Sequence, residues 1–138
     1  MRSFRNFLSL ALCALMLFGV GTAVQAQSTT DECMERIVLI ENDLTSIFQA
    51  GGITGNNSVQ TFNSLFSKLD SAATKLEQQK PSDALRKLTD FQTAVLALSG
   101  GSKPKLSASD AEVLLNGNEA SALDEGINGA IACVALLP

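Results

Sequence analysis

The pair Cys33 and Cys133 constrains this chain more than any other feature. The two stand 100 residues apart, and the third cysteine, Cys13, falls in an opening stretch of different character. There Arg2 and Arg5 make a short basic start, Phe7 to Val20 is an apolar run, and Val24-Gln25-Ala26 supplies the small residues of a cleavage site. This order predicts a secretory signal over residues 1–26, cut between Ala26 and Gln27, and a single folded domain over residues 27–138. An uncleaved membrane anchor is the competing reading. Its apolar core is shorter than the roughly 20 residues a spanning helix needs, and Gly19 and Gly21 weaken it, so no stable membrane span is expected after cleavage. Leu12 stands where a small residue precedes a lipid-modified cysteine, which argues against a lipoprotein.

Export would carry Cys33 and Cys133 into an oxidising compartment, where an isolated pair closes. Chain entropy values such a cross-link at up to ~4.7 kcal/mol, a large share of the roughly 5–15 kcal/mol that holds a domain together. Redox-active thiols are the functional alternative, but the two are far apart and lack a C-x-x-C arrangement. Free thiols are the third.

The rest of the chain reads as helices, with no convincing strand. Thr30 can cap a first helix whose Asp31 and Glu32 suit its positive end. Cys33, Ile37, Ile40, Leu44 and Ile47 follow at steps of four and three, one buried stripe. Gly51-Gly52 closes it. A second helix opens near Asn57 or Ser58 and places Val59, Phe62, Phe66, Leu69, Ala73 and Leu76 on one face, up to Lys80-Pro81. Pro81 suits the start of the third, which carries Leu85, Leu88, Phe91, Val95 and Leu98. Gly100-Gly101 ends it. Ser107, with Asp110 three residues on, opens a fourth with Ala111, Leu114 and Leu115. Asn116-Gly117-Asn118 breaks or kinks that helix, and a second piece is expected from about Glu119 to Leu136. Short connections favour antiparallel neighbours, so the fold expected is all-α, a compact antiparallel bundle of four to five helices after the signal helix.

Composition closes off much chemistry. The chain has no His, no Tyr and no Trp, so a Ser-His-Asp triad, a Cys-His pair and an ordinary zinc cluster are excluded. No catalytic, cofactor-binding or metal residues are assigned. Removing the signal takes two of the ten basic residues and none of the fourteen acids, which leaves a net charge of −6. Such a surface repels nucleic acid. Glu41 and Asp43, like Asp124 and Glu125, are close in sequence, but near neighbours on a helix point in different directions and read as surface acids. Phe48, Phe62, Phe66 and Phe91 read as core.

Two stretches remain as candidates for contact with something else. Residues 51–58 form a glycine-rich turn before a helix start, and Gly52, Thr54, Gly55, Asn56 and Asn57 make it a possible binding loop. It lacks the Gly-Lys-Ser/Thr of a phosphate loop, and a plain helix–helix turn is the simpler reading. Asn56-Asn57-Ser58 also matches a glycosylation acceptor. Ile127 to Leu137 has Asn128 as its one strongly polar residue. It is expected in the core, with a docking surface as the alternative.

The middle of the chain resembles the FIMAH domain, a small helical module of secreted bacterial proteins. The likeness rests on Gly52-Ile53, Leu65, Lys68-Leu69, Ala72 and Leu76, then Ala84, Leu88, Phe91, Val95, Leu106-Ser107, Ala111 and Leu114-Leu115, and spans about residues 37–116. Gln92 departs from the apolar residue usual after the Phe, the 51–58 loop is longer, and the cysteine pair and the tail after Asn118 lie outside the pattern. The resemblance implies a non-catalytic accessory module, secreted or periplasmic, whose partner is an extracytoplasmic protein or cell-surface component. The alternative is a small stand-alone inhibitor or chaperone-like protein that works through an apolar helical surface.

Overall fold

A computed structural model describes residues 29–118 and 124–138; the expected signal and its Ala26–Gln27 cleavage point lie outside the described residues. Five α-helices are formed: α1 (Thr30–Gln49), α2 (Ser58–Glu77), α3 (Pro81–Ser99), α4 (Ala108–Asn116) and α5 (Gly126–Ala135). The fold is all-α, and the one β feature among the described residues is an isolated antiparallel bridge between Ile53 and Leu106.

Local chemistry sets the helix ends. Thr29, one residue earlier than expected, caps α1 by accepting the Glu32 N–H at 3.2 Å. Starting the helix at Thr30 puts Asp31 and Glu32 in the first turn, where they face its positive end. At the other end Gly51 takes a φ of +78°, and the Gly51 and Gly52 N–H groups bond back to Phe48 O and Ile47 O. This is the paired closure that a left-handed glycine permits. The same geometry ends α2 with Gln79 in the glycine position, at φ +56°, while its N–H and that of Lys80 reach Leu76 O and Lys75 O. Pro81 then opens α3, where its missing N–H costs no hydrogen bond. Ser107 caps α4, accepting the Asp110 N–H at 3.0 Å and donating its hydroxyl to Asp110 Oδ2 at 2.7 Å.

One core collects the apolar faces. The α1 stripe of Cys33, Ile37, Ile40, Leu44 and Ile47 is buried as spaced. On α2 the buried face is Leu65, Leu69, Ala72 and Leu76, so the expected face is displaced. Val59 is 59% exposed, and Phe62, Phe66 and Ala73 are only partly buried, at the edge of the core. The two stripes share Leu69 and Leu76, and periodicity alone cannot choose between adjacent faces of one helix. Of the four phenylalanines expected in the core, Phe91 alone is fully buried. Phe48, Phe62 and Phe66 form a half-buried ladder instead, with ring centroids 4.4 and 5.7 Å apart.

The last helix begins at Gly126, because Asp124 and Glu125 stand before it rather than within it. It packs against α1, α3 and α4, while α2 packs against α1 and α3. Ile127, Ala130, Cys133 and Val134 are buried, which places the apolar tail in the core as expected, although Leu136 is 69% exposed. Cys133 and Cys33 are joined in a disulfide with Cα atoms 5.6 Å apart. No helix of the described residues is long and apolar enough to cross a membrane.

Gln79 pays for its turn with a left-handed conformation that costs a side-chain-bearing residue roughly 1–2 kcal/mol. Gln79→Gly removes that cost but gives the unfolded chain more freedom. The expected net gain is about 0.5–1 kcal/mol, read as a higher midpoint in equilibrium denaturant unfolding.

Candidate functional site

The glycine-rich loop divides into a structural half and an open half. Gly52 lies so close to the α4 cap that a Cβ there would meet Asp110 Oδ2 at 2.8 Å and Ile47 Cγ2 at 2.7 Å. Ile53 is buried at 4% exposure, and the Thr54 N–H donates to Lys105 O at 2.8 Å. These residues tie the α1–α2 connection to the segment leading into α4. Gly55, Asn56 and Asn57 are exposed, and Asn57 lies at a surface groove.

That groove has a volume of about 410 Å³. One wall is α2, with Gln60, Thr61 and Ser64; the other is α3, with Ala94, Ala97 and Leu98, and Leu65 and Lys105 complete it. Small side chains on α3 leave the hollow, and the polar groups on α2 give it hydrogen-bonding capacity. This combination of an apolar surface with a few polar groups suits the binding of a peptide or helix. Of the residues expected in a binding loop, it includes Asn57; Gly52 and Thr54 are committed to the fold.

A second polar region surrounds the start of α5. Arg36 Nη1 donates to Glu125, and its Nη2 lies 3.3 Å from Glu32 Oε1. Burial works to lower the Arg36 pKa, but the hydrogen bonds to Glu125 and Glu32 outweigh it and hold the guanidinium above its ordinary value. On the side toward α3 and α4, Gln92 Nε2 donates to Asn128 Oδ1 at 2.6 Å, Asn128 Nδ2 to Asn116 Oδ1 at 2.7 Å, and Asn116 Nδ2 to Glu112 Oε1 at 2.6 Å. Gln92, which departs from the pattern of the domain this chain resembles, therefore meets Asn128, the one strongly polar residue of the tail. Two isolated oddities of the sequence are partners.

The acids are also regrouped. Neither sequence-adjacent pair acts together, but Asp43 on α1 faces Asp124 at the entry to α5. Burial first, then the Asp124 charge and a hydrogen bond to it, push the Asp43 carboxyl up to about 6. Glu41, on the same helix, is also raised, by burial and then by the charge of Asp70 on α2. Among the described residues no group of three or more acid or cysteine side chains is placed to hold a metal ion. Hydroxyls of Thr45, Ser46, Thr89 and Thr93 donate to backbone carbonyls four residues earlier. Such hydroxyls are occupied in satisfying the helix rather than activated by a base.

No family model, curated protein or solved structure matches this chain.

The entry to α5 depends on two glycines packed backbone to backbone. Gly117 and Gly126 have φ values of +84° and +56°, and a Cβ on Gly126 would lie 2.5 Å from Gly117 N and 2.7 Å from Asn116 N. Gly126→Ala combines an unfavourable φ with a clash against backbone that cannot yield. It should lower stability by at least about 2 kcal/mol in denaturant unfolding and shift the amide resonances of residues 116–118 and 124–128.

Proposed function

We propose that this protein is a non-catalytic exported helical module that binds or supports another extracytoplasmic protein or surface. The observation that carries the reading is the buried Cys33–Cys133 disulfide, with the two residues at 0% and 4% exposure. Oxidised cross-links of this kind persist in extracytoplasmic compartments, which accords with a secretory signal over residues 1–26. The signal is cut after Ala26, and residues 27–138 form one domain with its helices antiparallel across short connections, such as the three residues between α2 and α3.

The likeness to the FIMAH domain supports the same class of function. Ile53, Leu65, Leu69, Ala72, Leu76, Ala84, Leu88, Phe91, Val95, Leu106, Ala111 and Leu114 all lie in the buried core. The resemblance thus rests on positions that carry packing, and it leaves the surface of this chain to set its own partner. The groove between α2 and α3 is the contact surface we assign. A stand-alone inhibitor or chaperone-like protein is favoured less, because the apolar tail expected to offer its surface is mostly in the core; Leu136 is its exposed large residue.

Native mass spectrometry of the protein from its host's envelope and medium tests this reading. The expected species is the 27–138 chain, lighter by two hydrogens for the disulfide, in complex with a second extracytoplasmic component. Ala97→Glu in the groove should remove that component while leaving the melting temperature close to its starting value. A free, full-length, reduced chain that turns over a substrate would refute the proposal.

A further inference from the structure

Two carboxylates meet where α1 passes the entry to α5, and among the described residues no cation forms a salt bridge with either. One oxygen of each, Asp43 Oδ2 and Asp124 Oδ1, is shut off from solvent with no hydrogen-bond donor. The other oxygen of Asp124, Oδ2, accepts the Asn118 N–H at 2.9 Å. Two ionised carboxylates can only repel, and an occluded acceptor without a donor is costly. A single proton between them satisfies both oxygens at once.

We propose that Asp43 and Asp124 share one proton, and that this proton latches the segment leading into α5 onto α1 in an acid-dependent way. The surrounding charges are otherwise engaged. On α1, Arg36 is taken by Glu32 and by Glu125 from the α5 side. Glu41 faces Asp70 of α2. On α4, Asp110 is held by Ser107 and Glu112 by Asn116. Asp124 is the charge that acts on Asp43, and together with burial it keeps the proton in place up to about pH 6.

The sign follows from proton counting. An unfolded aspartate releases its proton near 3.9, whereas the folded pair retains one to about 6. Between these values the folded state binds more protons, so its stability falls as the pH rises through that window. Above it both carboxylates are charged and push apart. The neighbouring Arg36–Glu125 contact also holds α5 to α1. The switch is therefore local: the entry loosens while the helix stays docked.

Carboxyl-carbon NMR of the oxidised protein from pH 3 to 8 tests this directly. The parent should show a carboxyl step near 6 that belongs to the coupled pair rather than to one residue. In Asp124→Asn the step near 6 should move down, because the like charge is gone and the amide can donate to Asp43, while burial still holds it above the ordinary aspartate value. Denaturant midpoints should fall between pH 4 and 6.5 in the parent and in Glu41→Gln, and fall less in Asp43→Asn. Survival of the step near 6 in Asp124→Asn would mean that burial alone raises Asp43, and the shared proton would be wrong. The absence of any carboxyl step near 6 in the parent, or equal pH slopes in the parent and Asp43→Asn, would overturn the proposal as well.

Discussion

The cross-link between Cys33 and Cys133 fixes α5 against the first turn of α1, and the rest of the architecture can be understood as a cover for that junction. α5 is ten residues long, shorter than the roughly 12–15 residues at which even a good isolated helix becomes marginal in water. Its sequence is nearly all apolar and includes two glycines, so helix propensity contributes little to its formation. Burial against α1, α3 and α4 has to supply the driving force, and a covalent tie to α1 reduces the entropy lost when the distant ends meet. α2 and α3 then close over the other sides of the core.

Polar groups enter this junction at its margin and in pairs. Asn128 reaches Gln92 and Asn116, Arg36 reaches Glu125, and Asp43 faces Asp124. The first two pair donors with acceptors, and so fix the orientation of α5 rather than add much net stability. The third is a like-charge contact that only a proton makes favourable. The end of the bundle that carries these pairs is thus the place where solution conditions can reach the core, whereas the α2–α3 groove is set by packing alone. The groove and this junction sit on different parts of one small domain.

Much of this was legible from residue order. The α1 stripe, the glycine stop at Gly51, Pro81 opening α3 and the buried tail all follow from rules that act over a few residues. The helix count and the cysteine pairing follow from spacing and from having two cysteines once Cys13 is assigned to the signal. What escaped were choices between neighbours. Thr29 and Thr30 can both cap, and two apolar faces of α2 differ by one step around the helix. In the glycine-rich loop, the roles of Gly52 and Thr54 come from contacts with Asp110 and Lys105, more than fifty residues away, which local sequence does not show. The groove and the Asp43–Asp124 pair need long-range juxtaposition of helices, and nothing in their local sequence announces it. Asn128 was visible as the one strongly polar residue of an apolar stretch and Gln92 only as a departure from the pattern the chain resembles, and asking what such polar residues bond to was the signal that could have found their contact.

The cross-linked α1–α5 junction thus holds the domain together. Equilibrium denaturant unfolding of the oxidised protein beside the double variant Cys33→Ala/Cys133→Ala measures it most directly. The double variant should lose about 2–5 kcal/mol, with helical circular dichroism retained before the transition and the amides of α5 losing protection from exchange ahead of those in α2 and α3. An unchanged midpoint, with α5 amides as protected as before, would contradict it and would show that packing alone secures the last helix.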